Sequence, residues 1–73
     1  MIKINLSDLL GKKKMSQAEL ARRTGIRPNT INALYHEYVK YINKSDLDKI
    51  CEVLECDLSE LIKYIPNKEK NTL

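Results

Sequence analysis

Residues 15–35 read MSQAELARRTGIRPNTINALY, and this stretch decides the fold. Ser16 can accept a bond from an orphan backbone N–H at a helix start, and Glu19 follows at the spacing of a capping box. Met15 before the cap and Leu20 after it are spaced for a hydrophobic staple. Gly25 supplies the positive φ that a helix end commonly needs. Pro28 suits a first helical turn, where its missing N–H would be unpaired anyway. Ile26 lies in the turn, placed to plug the space between two short helices. Ala21, Ile26, Ile31 and Leu34 face inward, and small Ala21 allows a close approach. The pattern is a helix-turn-helix, whose second helix enters the DNA major groove.

On the N-terminal side, residues 5–14 read as another helix. Asn5 is placed to cap it and Asp8 to support its positive end. Leu6, Leu9 and Leu10 follow the i, i+3, i+4 rule. Lys12, Lys13 and Lys14 sit at its C-terminus, where positive charge is favourable and where it can also attract phosphate. Ile2 and Ile4 flank Lys3 in either a short strand or an extended arm.

On the C-terminal side, YHEYVKYI (35–42) contains no glycine. The second helix of the motif therefore runs past Tyr35 or ends in a less tight loop. Tyr35, Tyr38 and Tyr41 recur at spacing three. Mixed packing is expected for Tyr41, and an outward contact for Tyr35. Asn43, with Asp46 three residues on, opens a fourth helix with an apolar stripe of Leu47, Ile50, Cys51 and Leu54. Asp57 and Glu60 box the start of a fifth, whose stripe is Leu58, Leu61, Ile62 and Ile65, and Pro66 stops it. The expected architecture is all-α: a five-helix domain over 1–66, an N-terminal strand or arm, and a polar tail over 67–73.

Seventy-three residues make one small domain, whose function sits on its surface. No segment reads as a signal peptide or approaches the ~20 apolar residues of a membrane span, so no membrane partner and a cytoplasmic location are expected. The net charge is +3, unevenly spread. Residues 1–34 carry seven basic and two acidic side chains, a balance of +5, whereas residues 35–73 carry six and eight, a balance of −2. A basic half that contains the helix-turn-helix suits one face on a polyanion. Cys51 and Cys56 lie five apart without secretory features and read as reduced, buried thiols rather than a disulfide framework. With His36 they make poor metal spacing, so neither metal nor cofactor is expected.

The residues S-Q-x-E-L-A-x-x-T-G-I-x-x-x-T-I-x-x-L, Ser16 to Leu34, resemble the core of the lambda-repressor/Cro-like (XRE) family of transcriptional regulators. Leu47-Asp48-Lys49-Ile50-Cys51, with Leu54 and Cys56, and Asp57-Leu58-Ser59-Glu60-Leu61 resemble its fourth and fifth helices. The resemblance covers about residues 4–65. It implies a phosphate contact at Gln17, where a helix N-terminus also favours one, and a backbone contact at Lys40, with His36 and Tyr38 secondary there. In the recognition helix, 28–35, Asn29 can pair bidentately with adenine and Arg27 with guanine or a phosphate. Thr30 offers a hydroxyl and a methyl, Ala33 suits a thymine methyl, and Asn32 lies one turn on beside it. Tyr35 ends the helix as a further contact. Pro28 departs from the family, which often has a polar side chain there; proline cannot supply that hydrogen bond, so one usual base contact is lost or replaced by an apolar one.

The expected function is a small repressor that reads a palindromic operator in double-stranded DNA as a homodimer. The interface is expected on the fourth and fifth helices and the C-terminal end, with the N-terminal strand as runner-up. The alternative is an antitoxin-like protein-interaction module on the same fold. An enzyme is not expected, because the chain lacks a nucleophile–base pair and a Gly-rich phosphate loop.

Overall fold

The structure, a computed structural model, describes residues 1–66; the tail expected over 67–73 lies outside the described residues. The element order is β1 (Ile2–Ile4), α1 (Leu6–Lys13), α2 (Gln17–Thr24), α3 (Pro28–Tyr35), α4 (Lys44–Leu54), α5 (Leu58–Leu61) and β2 (Ile62–Tyr64). Every helix sends at least one side chain to a common core, in which Leu6, Leu20, Ile31, Ile50, Leu54 and Leu61 are fully buried. α2 packs against both α3 and α4, so it is the central strut of the domain.

Local chemistry explains the helix starts. Ser16 Oγ accepts the Glu19 N–H at 3.0 Å, which satisfies one orphan donor of α2. Glu19 does not complete the expected capping box. Its carboxylate lies 3.0 Å from Arg23 and 3.5 Å from Arg22, the i+4 and i+3 neighbours that draw it along the helix. Asn43 Oδ1 accepts the Ser45 N–H at 2.8 Å and so starts α4. Asn5 stands before α1 without a side-chain cap, because its φ of −98° and ψ of 29° are not the extended conformation that aims one. At α5, Glu60 accepts the Asp57 N–H at 2.9 Å as its spacing suggested.

The fifth helix is shorter than its apolar stripe implied. It ends at Leu61, and Ile62 turns to an extended φ of −128° and ψ of 134°. Residues 62–64 become β2, antiparallel to β1, with Ile2 opposite Tyr64, Lys3 opposite Lys63 and Ile4 opposite Ile62. Asn5 N–H donates to Leu61 O at 2.7 Å, and Ile65 N–H to Met1 O at 2.8 Å, which extends the ladder at both ends. The N-terminal piece is therefore a strand with a partner in its own chain. Ile4 and Leu61 anchor the sheet in the core, while Ile2 and Tyr64 stay exposed.

α3 ends at Tyr35 in a tight reversal, although no glycine is present. Tyr38 N–H donates to Ala33 O at 2.8 Å and Glu37 N–H to Leu34 O at 3.2 Å, the pair of bonds of a Schellman motif. Glu37 takes the left-handed position, φ 61°, where a residue with a Cβ is strained by about 1–2 kcal/mol. Its side chain offsets that strain. The carboxylate accepts the Ile4 N–H at 3.0 Å and the Lys3 ammonium at 3.4 Å, and so ties β1 to the end of α3. The Ile4 bond, with Lys3 beside it, holds the Glu37 carboxyl below its ordinary value of 4.5. A lowered folded pKa means that the tie is fully present above about pH 4.5 and is lost as pH falls through the folded value. Glu37→Gln is therefore expected to be less stable than wild type at neutral pH. The gap should close in denaturant titrations carried down towards pH 3, whereas a pH-independent gap would count against the charged tie.

Candidate nucleic-acid interface

The turn between α2 and α3 is built by two residues. Gly25 adopts φ 76° at the end of α2, where it costs no Cβ strain. Thr24 is buried, and its hydroxyl donates to Leu20 O at 2.7 Å while accepting the Ile26 N–H at 3.2 Å. That second bond satisfies a donor buried inside the turn, a service worth about 1 kcal/mol. Ile26, 6 % exposed, plugs the space between the helices, as its place in the sequence suggested. Ala21, Ile31 and Leu34 are buried with it.

α3 is thereby held by one face and presents the other. Arg27 precedes it in extended conformation, and its carbonyl accepts the Thr30 and Ile31 N–H groups at 3.0 and 3.1 Å. Pro28, at the first helical position, needs no such acceptor. Ile31 and Leu34 fix the inner side. Arg27, Pro28, Asn29 and Asn32 are exposed, and Thr30, Ala33 and Tyr35 are half-buried. Asn29, Asn32, Ala33 and His36 recur at i, i+3, i+4 and i+7, so they form the outward stripe.

Gln17 is the first residue of α2, at its positive end, where first-turn N–H groups have no partner within the helix. Arg22 and Arg27 share the rim of an open concavity of about 560 Å³ beside the turn, with Ala18 and Pro28. Lys40 is exposed in the loop between α3 and α4. The structure does not bring it or Tyr35 to that concavity. Tyr35 is half-buried and packs against the core, which fixes its ring at the foot of the stripe.

Two further side chains belong with this surface. The His36 ring meets Tyr35 edge-on at 5.0 Å and stacks on Tyr38 at 5.5 Å, with an interplanar angle of 20°. The three rings close off the C-terminal end of the outward stripe. Only secondary weight fell on His36 and Tyr38 from the sequence, yet the i+7 spacing from Asn29 to His36 already put His36 on that face. Tyr41, expected in mixed packing, is 90 % exposed, because the chain has left the helical repeat by Glu37 and the spacing-three pattern no longer defines a face. Cys51, near the end of α4, and Cys56, two residues past it, are half-buried rather than fully buried.

Among the described residues, no group of three or more His, Cys, Asp or Glu side chains is arranged to hold a metal ion. Nor is any helix among them long and apolar enough to cross a membrane. Compared with known proteins, residues 5–67 match the family description of a Cro/C1-type HTH DNA-binding domain. The chain is also similar to YozG of Bacillus subtilis (strain 168), named as an uncharacterised HTH-type transcriptional regulator. The two are 38 % identical over 61 residues, which span 84 % of this chain and 73 % of YozG.

Proposed function

The chain belongs to the Cro/C1-type helix-turn-helix DNA-binding family, and from that premise we propose that it is a cytoplasmic repressor that reads a palindromic operator as a homodimer. Its DNA-binding, transcription-regulating role is that of the family. The observation that carries the finer reading is the outward stripe of α3, polar and accessible at Asn29 and Asn32 while Ile31 and Leu34 hold the helix to the core.

Each candidate residue has a role on this reading. Asn29 makes paired hydrogen bonds to an adenine edge, and Arg27 reaches guanine or a phosphate. Asn32 and Ala33 read the next step, with Ala33 against a thymine methyl. Pro28 makes an apolar contact, Thr30 bonds a base or phosphate, and the Tyr35 ring lies along the sugar-phosphate edge with His36 and Tyr38. Gln17, at the N-terminus of α2, and Lys40, in the following loop, grip phosphates on either side and set the register. The family match and the exposed polar stripe favour DNA over a protein-interaction module.

One recognition helix reads too few base pairs to single out a genomic site, which argues for two copies about a two-fold axis. The exposed apolar side chains Ile2, Leu58 and Tyr64, on the sheet and α5, suit a second copy. The test is selection of binding sites from random DNA, followed by light scattering on the selected site. The expected product is a palindrome with half-sites about 34 Å apart and two protomers bound. One protomer on an unrepeated half-site at saturating protein would overturn the dimer.

Lys40→Ala is expected to weaken specific and non-specific DNA alike. It should also reduce the slope of log affinity against log salt by about 1, because one fewer counterion is released. An unchanged slope in a salt titration would remove Lys40 from the interface.

A further inference from the structure

We propose that Cys51 and Cys56 form a modification site, a dithiol that a peroxide closes into an intramolecular disulfide. On a continuing helix, residues five apart would diverge. Here Glu55 takes a left-handed φ of 52° and reverses the chain between them. Cys56 N–H donates to Cys51 O at 3.1 Å and Glu55 N–H to Glu52 O at 3.3 Å, a Schellman motif. In that motif the side chains at the two ends of the longer bond meet, ordinarily as an apolar contact. In this chain both are thiols. A disulfide needs Cα atoms about 4.4–6.8 Å apart, and a direct backbone bond between the two residues holds them at that kind of range.

The pair is also reachable. Both cysteines are half-buried, and they line an open groove of about 350 Å³ with Leu47 and Leu58 as its apolar walls and Lys44 at its edge. Burial, with Cys51 beside it, holds the Cys56 thiol up to about 11. The closure gives the same product whichever of the two sulfurs attacks first.

The chemistry balances with hydrogen peroxide as the oxidant. One cysteine, as its thiolate, attacks one peroxide oxygen, the O–O bond breaks, and the released hydroxide takes a proton and leaves as water. The product is a sulfenic acid on that cysteine. The sulfur of the other cysteine then attacks the sulfenic sulfur and the S–O bond breaks. The leaving hydroxyl takes the second thiol's proton as a second water. Two thiols are oxidised by two electrons in all, and peroxide is reduced to two waters. A disulfide here would staple the C-terminus of α4 to the segment that leads into α5.

The experiment treats the full, reduced chain with one equivalent of hydrogen peroxide, then alkylates the remaining thiols under denaturing conditions and weighs the intact protein. The expected result is a monomer about 2 Da lighter, with neither cysteine alkylated and both recovered by dithiothreitol. Cys51→Ser and Cys56→Ser chains should each lose this product and yield oxygen adducts or disulfide-linked dimers instead. A wild-type chain that keeps two alkylatable thiols would overturn the proposal. So would one that gains oxygen without cross-linking, or one that links only between molecules.

Discussion

Asn29→Ala is expected to weaken binding to the selected operator by about 1–3 kcal/mol, roughly 5- to 150-fold, and to flatten the preference at one base pair. The side chain is exposed at the second position of α3, and Pro28 and Ile31 on either side fix the direction in which it projects. On the proposed reading, removing its amide would delete two hydrogen bonds to a base edge, while the exposed side chain leaves the core unchanged. Fluorescence titrations on the selected site and its single-base variants check this. A loss of equal size on every sequence would make Asn29 a positioning residue and move the base reading to Asn32 or Arg27.

Ile31→Ala is expected to have the largest effect on stability, about 2–5 kcal/mol. Ile31 is fully buried one turn from the start of α3, where the inner face of the recognition helix meets the core. A chain of this length has a total stability of about 4–11 kcal/mol, so one cavity removes a large share of it. The midpoint of urea denaturation should fall at unchanged slope, and Tm should drop by ~10 °C or more. At low temperature the surviving folded fraction should keep its base preferences. A change in which base is preferred would mean that the substitution re-aims α3.

What the sequence made legible was short-range. Ser16, Gly25, Ile26, Pro28 and the inward set of Ala21, Ile31 and Leu34 could be placed because each acts on neighbours within about one turn. The outward positions of α3 followed from the same periodicity. Three features were not legible, two because their partners are far along the chain and one because its turn lacks the usual glycine. Ile62-Lys63-Tyr64 continues an apolar run that fits a helix or a strand, and β1, some sixty residues away, decides for the strand. Glu37 occupies a turn position usually held by glycine, since its carboxylate finds Ile4, 33 residues distant. Cys51 and Cys56 looked mismatched at five apart because the reversal at Glu55 carries no glycine to announce it.

The sheet also sets an order of assembly. The Met1 ammonium donates to Ile65 O across 64 residues, so the β1–β2 ladder closes the longest loop in the described chain. Loop closure costs entropy that grows with length, and strands of three residues are too short to hold without support. The helices from Ser16 to Leu54 close much shorter loops, so they are expected to form first and the ladder to open first, an order that hydrogen exchange of the β1 and β2 amides against those of α2–α4 checks. Glu37 turns that zipper into a clasp, because the residue that terminates the recognition helix also grips the strand. Unzipping β1 removes the carboxylate's two partners and leaves the strained left-handed residue held by its Schellman bonds alone. The end of the DNA-reading helix is therefore braced by the seam that joins the first strand to the last.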